Sequence, residues 1–595
     1  MTATTNDVLT PPRERPTDER AVLGRLFGYI GGKGRTGRFW AAVSLRALSV
    51  IALTAIPAIT GYAVNAMRAG DAAQLQAWVI AAAVAAVAYA LLAGFSEFLM
   101  TRLATSATMN LQRDMFATMQ RLSLSFFDRQ PVGQLLSRVT NDTESVATFN
   151  ENAVSQIMRG IFQVVLIVVL MAVTNWRLTL AALTVVPVLL LVAAAVSHAA
   201  GPAYARLQEQ LGDLSGFQEE TISGHRVLIS TRRQDWAAKQ HEQEAGRVFQ
   251  TASHATFTGL LQFPATMAMT TVQMVVVLVV GGLLAADGQA DVGEVIAFVG
   301  LAGLLAQPLS DLSNLATTTL SAIAAGRRVF EIVDDVPTVV DTPQAQPFHF
   351  EGGKVEFRDV DFSYVPGRQI LRDNTFTALP GQKIGICGPT GAGKSTIINI
   401  LTRYYDVDAG EVLVDDQPLT AVTIGSLRAN VGMVLQEAFL FSDTIMNNLR
   451  YAREGATDEE CIAAATQANA HHFIEALPDG YQTMLVERGA NLSQGQRQML
   501  TIARAMVAQP RILILDEATS NVDTRTEKLI QEGLRRLMAG TTSFVIAHRL
   551  STISDADSIL VVDQGRIVQQ GRHDDLIATE GLYRDLWFSQ FKGKA

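Results

Sequence analysis

The sequence predicts two domains in series: an α-helical bundle of six membrane spans, then an α/β domain on a largely parallel sheet. Three observations predict it. Apolar residues make up 48% of the 595-residue chain and charged residues only 18%, and the apolar excess lies in the first 330 positions. Six stretches there are long and apolar enough, or nearly so, to cross a bilayer, which takes about 20 residues of helix. Beyond the bundle, short apolar runs ("KIGIC", "VGMVL", "ILILD", "SFVIA", "SILVVD") alternate with helical patterns.

The expected spans are residues 39–67, 77–100, 155–175, 178–200, 257–286 and 292–320. "NWR" alone separates the third from the fourth, which implies a tight hairpin, and "ADGQADVG" joins the fifth to the sixth. Orientation follows from the basic residues. The tail, residues 1–38, carries Arg13, Arg15, Arg20, Arg25, Lys33, Arg35 and Arg38. The loop after the first span has only Arg68, and the loop between the fifth and sixth has no Lys or Arg. The tail is therefore expected in the cytoplasm, and an even number of spans returns the chain there. It is polar and lacks the short early apolar core of a secretory leader.

Residues 101–154 and 201–256 are long, polar and helical in pattern, with little Gly or Pro. Structureless loops of that length are uncommon in compact domains. Helices two to five are therefore expected to run on into the cytoplasm and to meet in turns near 126–139 and 219–228. The membrane domain is assigned to 39–333, a Pro-, Asp- and Gly-rich linker to 334–353, and the second domain to 354–595.

Net charge of −9 disfavours a nucleic-acid partner. Two isolated cysteines, Cys387 and Cys461, suggest neither a disulfide framework nor a zinc site. Within the spans the ionisable residues are few: Arg46, Glu97, Arg159, Glu294 and Asp311. A charge there contacts substrate, anchors a helix end or pairs structurally. Otherwise the path is apolar. Gln262, Phe263, Met267, Met269 and Gln273 would suit varied lipophilic ligands, and lipid contact or helix packing explains the Met residues at least as well.

One motif carries chemistry by itself. "GPTGAGKST" matches G-x-x-x-x-G-K-[ST] in full, with the strand "KIGIC" before it and a helical pattern after it. In such a loop the amides of Gly388, Pro389's neighbours Thr390 and Gly391, Ala392 and Gly393 wrap a phosphate, aided by the helix dipole. Lys394 reaches the β- and γ-phosphates, and the Ser395 hydroxyl, beside Thr396, can ligate Mg²⁺. "ILILDE" ends an apolar run in two carboxylates. Asp516 would hold Mg²⁺ through water, and Glu517 would deprotonate the attacking water. His548 follows another apolar run, where it would meet the γ-phosphate. Gln436, after "VGMVL", can ligate Mg²⁺. Tyr364, upstream of the loop, could stack on adenine or simply occupy a sheet edge.

In this order the motifs resemble those of ATP-binding cassette (ABC) exporters, specifically half-transporters with one six-helix membrane domain of the type I exporter fold and one P-loop NTPase cassette. The resemblance runs from about residue 25 to 590. "FSY" is similar to the adenine-stacking loop, Gln436 to the Q-loop, "ERGANLSQGQRQ" to the family signature and its preceding loop, "SNVD" with Asp523 to the D-loop, and His548 to the switch histidine. "LSLSFFDRQPVGQLLSRVTNDT" and "ETISGHRVL" are similar to the two intracellular coupling segments.

The resemblance implies an ATP- and Mg²⁺-dependent exporter of lipophilic compounds in the cell membrane, working with a second half-transporter. Ser493, Gln494, Gly495 and Gln496 would face ATP held by the partner chain. Gln494 stands where the usual signature has Gly, and "SNVD" replaces the common "SALD". Both departures favour a heterodimer, although homodimeric relatives also carry "LSQGQ". Uptake of a siderophore-type ligand on the same fold, and a non-turnover ATP-binding regulator, are the rival readings. Intact Glu517 and His548 argue against the second.

Overall fold

The computed structural model describes residues 18–32, 35–516, 523–547 and 549–591. The chain packs as two compact units. The first runs to Gln120 and resumes from Gly133 to Asp335; the second takes Arg121–Val132 and everything from Val336. Glu517 and His548 lie outside the described residues.

The first unit is all helix. α1 (Glu19–Gly31) starts at Asp18, whose side chain accepts from the Arg20 amide, and it buries Val22, Leu26 and Ile30, one face at a spacing of four. α2 (Thr36–Arg68) and α3 (Ala72–Met119) follow as an antiparallel pair. α4 (Leu124–Arg129), which belongs to the second unit, and α5 (Val132–Ser137) make the first cytoplasmic turn, and α6 (Thr143–Thr148) leads to α7 (Val154–Thr174). Asn175 then caps α8 (Trp176–Ser223) through the amides of Arg177 and Leu178, which gives the tight hairpin that "NWR" implied. α9 (His225–Thr231), α10 (Gln234–Leu260), α11 (Gln262–Ala286) and α12 (Val292–Val333) complete the unit.

Among the described residues, four helical stretches are both long and apolar enough to span a bilayer: Thr36–Arg68, Ala72–Met119, Trp176–Ser223 and Gln234–Ala286. Arg159–Thr174 and Val292–Leu305 are shorter apolar helices in the positions of the third and sixth expected spans. α3 and α8 each hold 48 residues. At 1.5 Å per residue that is about 72 Å, more than twice the roughly 30 Å hydrocarbon core, so both run well past it. The return path towards α7 is less regular than the sequence suggested. π-helical turns at Arg138–Asp142 and Phe149–Ala153 interrupt it. The first is pinned by Asp142, which accepts from Arg328 Nε at 2.8 Å.

Polar groups in the spans have structural partners. Arg46 pairs with Glu97 between α2 and α3. Glu294 closes a capping box with Asp291 at the start of α12. Gln273 is buried and donates to the Ala182 carbonyl of α8 at 3.1 Å, so it packs two helices together instead of facing a path. Phe263 and Met267 are exposed on α11. The side chain of Asp311 lies outside the described set.

The second unit carries two sheets. The antiparallel one, unread in the sequence, is built from β1 (Val355–Val365), β2 (Arg368–Ala378), β4 (Ala409–Val414) and β5 (Gln417–Pro418), in the order β2-β1-β4-β5. The other has six strands in the order β10-β9-β3-β8-β7-β6. These are β3 (Lys383–Cys387), β6 (Val431–Val434), β7 (Ile512–Asp516), β8 (Thr542–Ile546), β9 (Ser558–Asp563) and β10 (Arg566–Gly571). All its pairings are parallel except β9 with β10. The central strands are buried on both faces, as parallel strands covered by helices must be. Helix α13 (Lys394–Leu401) follows β3. The helices Ile424–Arg428, Ile445–Arg450, Asp458–Gln467 and His471–Glu475 are α14 to α17, Gln494–Ala508 is α18 and Thr524–Met538 is α19.

The segment after Val336 is tied down along its length. Thr338 bonds Ser125 at 2.9 Å, the Val339 amide donates to Ser123 at 3.0 Å, and Arg403 Nη2 donates to the Val340 carbonyl at 3.2 Å. Asp341 accepts from the Ile424 amide at 2.8 Å. Four successive amides, Glu351 to Lys354, donate to the single carboxylate of Asp415 at 2.7–3.1 Å.

Candidate functional site

Four candidate segments leave one edge of the six-stranded sheet. β3, β8, β7 and β6 are neighbours and parallel, with Gly385 opposite Val545, Asp516 opposite Ile546, and Val434 opposite Leu515. Gly388 follows the last residue of β3, Gln436 lies two residues beyond β6, Asp516 ends β7 and Ala547 follows β8. Ligands of open α/β sheets bind in this crevice at the carboxyl ends of the strands.

The loop from Gly388 has little freedom to be anything else. A Cβ at Gly388 would sit 2.0 Å from the Val562 carbonyl oxygen. Gly393 starts α13 at φ +105°, a conformation that side chains resist, and no side chain caps the helix there. The helix start thus presents backbone, and no capping side chain, to a ligand. Pro389, Thr390, Gly391 and Ser395 are exposed, while Ala392 and Thr396 are buried against the sheet. Lys394 folds over the loop and donates to the carbonyls of Gly388 and Pro389 at 2.9 Å each. Directly before the loop, burial pushes the Cys387 thiol up to about 12 despite the nearby Lys394 charge, so it stays protonated.

Tyr364, the last residue but one of β1, is 38% exposed, and its hydroxyl is held between Thr396 at 3.2 Å and the Asn399 amide group at 2.9 Å. A base could stack on the free face of that ring. Gln436 is exposed, and with the Ser395 hydroxyl and Asp516 it offers a set of oxygen donors containing one carboxylate. That composition fits Mg²⁺, which keeps several waters and shares its charge with substrate phosphates. It does not fit a resident transition metal, and no cluster of three His, Cys, Asp or Glu occurs among the described residues.

The signature turn is built differently. Ser493 caps α18: its hydroxyl accepts from the Gln496 amide at 3.3 Å, and the Gln496 side chain accepts from the Ser493 amide at 2.9 Å. This reciprocal box engages both side chains within the turn. Ser493 and Gln494 remain exposed, whereas Gly495 is buried. Asp523 likewise caps α19 through the amides of Arg525 and Thr526 at 3.1 Å each. Hydrogen bonds from Thr526 hold its carboxyl below the usual carboxylate range.

Two functional features escaped the sequence reading. One is Arg504 on α18, which donates to the Asn448 carbonyl at 2.9 Å, to the Asn448 side chain at 2.7 Å and to the Phe439 carbonyl at 2.8 Å. It fixes the segment beyond Gln436 to the signature helix. The other is Tyr405, whose hydroxyl donates to Asp128 of the first cytoplasmic turn, 277 residues away. Pairs so distant leave no local pattern to read.

Comparison with known proteins accords with this geometry. Residues 39–309 match the ABC transporter transmembrane region and residues 371–520 the ABC transporter cassette family. The chain is 37% identical over 98% of its length to an ABC transporter ATP-binding protein of Bacillus subtilis, YfiC, covering 96% of that protein. It is 40% identical over 80% of its length to a fatty acid ABC transporter ATP-binding/permease protein of Mycobacterium tuberculosis, covering 75% of that chain. An ATP-dependent lipid A-core flippase of Syntrophus aciditrophicus is 35% identical, with 84% of this chain and 83% of the flippase aligned. Among solved structures, a bacterial Atm1-family ABC exporter with ATP bound superposes with a TM-score of 0.78 at 30% identity, covering 93% of this chain and 99% of that one. The chain belongs to the ABC transporter family, as an exporter half-transporter of the type I fold that couples ATP hydrolysis to transport across the cell membrane.

Proposed function

We propose that this chain exports lipophilic small molecules, such as lipids, drugs or related amphiphiles, by alternating access in a dimer with six spans per chain. The observation that supports it most is the convergence of the phosphate loop, Gln436 and Asp516 at one edge of a parallel sheet, in a chain whose other unit is a bundle of long apolar helices. The apolar character of the spans, where Arg46 and Glu97 neutralise one another, supports an amphiphilic cargo over an ion. Relatives named as lipid A-core flippases and fatty acid transporters support the same class.

In this reading the start of α13 and Lys394 bind the phosphates, Tyr364 stacks on the base, and Ser395, Gln436 and Asp516 hold Mg²⁺, the last through water. Mg²⁺ supplies charge neutralisation between the β- and γ-phosphates. Glu517 takes the proton of the attacking water and His548 orients the γ-phosphate. Ser493, Gln494, Gly495 and Gln496 face the nucleotide held by the partner chain, with Asp523 beside them. ATP binds the closed dimer better than the open one, so it shifts the population, and hydrolysis removes that preference.

Gln494 in place of the usual Gly supports a heterodimer over a homodimer. Glu517→Gln in the purified, reconstituted protein is expected to lower ATP hydrolysis by about 10²-fold or more. Activity that survives this change would refute the assignment of the base. Purification of the chain alone and with candidate partners, followed by mass measurement of the assembly, separates the two dimers.

A further inference from the structure

We propose that a cleft between α1 and α3, at the cytoplasmic end of the first unit, binds the headgroup of a zwitterionic phospholipid with a primary ammonium. The cleft is a site apart from the nucleotide loop and from the transport path.

A cavity of about 760 Å³ opens between these helices. Gly24, Gly28 and Gly32 line one side, Asn110 and Asp114 of α3 line another, and Arg35 stands before α2. The three glycines recur every four residues and so share one face of α1 and its C-terminal end. A Cβ at Gly24 or Gly28 would meet nothing within 4 Å, so these glycines do not serve close helix packing. Gly326 of α12 does serve it: a Cβ there would sit 3.1 Å from Val22. The packed face of α1 is therefore the one with Val22, Leu26 and Ile30, and the glycines shape a separate groove.

The charges in the groove are arranged in an unusual way. Arg25 is engaged elsewhere, since both its terminal nitrogens donate to Asp334 and its guanidinium lies over Phe330 at 3.9 Å. Arg35 and Asp114, by contrast, have no ion-pair partner among the described residues, and they do not pair with one another. Tyr29 stands between them. Its carbonyl accepts from Arg35 Nη1 at 3.3 Å, and its hydroxyl donates to Asp114 at 2.9 Å. A cation and an anion are thus held at opposite ends of one residue. Asn110, one helical turn from Asp114, has no side-chain hydrogen bond among the described residues and adds an amide to the same groove.

Separated opposite charges are complementary to a ligand that carries both. A phosphate fits Arg35 and the Asn110 amide, and an ammonium donates to Asp114. An anionic headgroup would satisfy Arg35 and face Asp114 with like charge. A trimethylated ammonium has no N–H to give. The position favours a lipid as the source. Arg35 directly precedes α2, a helix long and apolar enough to span the bilayer, and Arg38 and Trp40 at its start are exposed. Basic and aromatic residues there mark the headgroup layer of the cytoplasmic leaflet, where pockets between helices take lipid headgroups.

The test titrates the full-length protein in a neutral detergent with dioleoyl phosphatidylethanolamine, phosphatidylcholine and phosphatidylglycerol, read by native mass spectrometry. Phosphatidylethanolamine should bind at a concentration about tenfold lower than either of the others. Arg35→Ala should weaken it by about tenfold. Asp114→Asn keeps an acceptor for Tyr29 and loses the charge, so it should erase the preference over phosphatidylcholine. Gly28→Leu fills the groove and should remove the tight binding, whereas a lipid held in the transport path would ignore it. Gly24→Leu fills the same groove from the next turn and gives the same readout should Gly28→Leu fail to fold. Equal affinity for the three lipids, a preference that survives in Asp114→Asn, or tight binding that persists in the filled variants overturns the proposal. Displacement of the lipid by free O-phosphoethanolamine at a similar concentration would make the ligand a soluble phosphoamine and would overturn the lipid assignment.

Discussion

α13 and α18 both begin at polar, glycine-containing turns, and they begin in opposite ways. α13 starts at Gly393 with no side-chain cap, and its first turn is closed by backbone alone, the Thr396 amide donating to the Gly393 carbonyl at 3.1 Å. α18 starts at Ser493 with a complete capping box, so the amides of Ser493 and Gln496 are bonded within the turn before any ligand arrives. The first relies on backbone closure and the sheet beside it, and the second adds a reciprocal pair of side-chain bonds. A helix end without a capping side chain leaves its backbone accessible to a ligand its own chain binds. A helix end already closed can serve a ligand brought by another chain, since it must survive while that ligand is away.

This contrast can be broken at several points. The largest effect is expected for Lys394→Ala, which removes the ammonium folded over the loop; ATP hydrolysis should fall by about 10²–10³-fold with the fold intact, measured by phosphate release and circular dichroism. Next comes Ser493→Asp. Asp caps as well as Ser, so the melting temperature should move by less than about 2 °C. The added charge would face phosphate, and hydrolysis by the dimer should fall at least about tenfold. Full activity would reduce Ser493 to a cap alone. Gln494→Gly should leave hydrolysis unchanged or raise it by up to about threefold, and a large loss would show that the Gln494 side chain contacts nucleotide or partner productively. The smallest expected effect is none. Both thiols are buried, and that of Cys387 is pushed up to about 12. The native protein should therefore take up no iodoacetamide by mass measurement, while the unfolded chain should take up one at each cysteine.

Much of this was legible in the sequence because it depends on local pattern. The phosphate loop, the strands "KIGIC" and "ILILD", and the hairpin at Asn175 follow from short-range rules of glycine conformation, apolar runs and capping. The long helix α3 followed from the scarcity of breakers, whereas α8 runs on through Pro187 and Pro202. The antiparallel sheet did not, because the core residues Phe357, Val360 and Phe362 of β1 alternate irregularly around register shifts that break period two. Gln273 looked like a lining residue because its chemistry suits a ligand. Only the fold reveals that the Ala182 carbonyl already occupies it. Arg504 and Tyr405 were illegible for a different reason. Their partners are 56 and 277 residues away, and no periodicity links such positions.

The fastened segment after Val336 has a consequence for how such proteins can be recombined. Its hydrogen bonds to Ser123, Ser125, Arg403, Ile424 and Asp415 make it a strap of set length. A flexible tether would tolerate added residues; here each anchor fixes the register of the next. The cassette is therefore not a part that detaches at one cut. A chimera that exchanges everything beyond Val336 while keeping a foreign 121–132 turn would separate Ser123, Ser125 and Asp128 from the partners they fit. The inheritable module is discontinuous, and its smaller piece is encoded within the membrane domain.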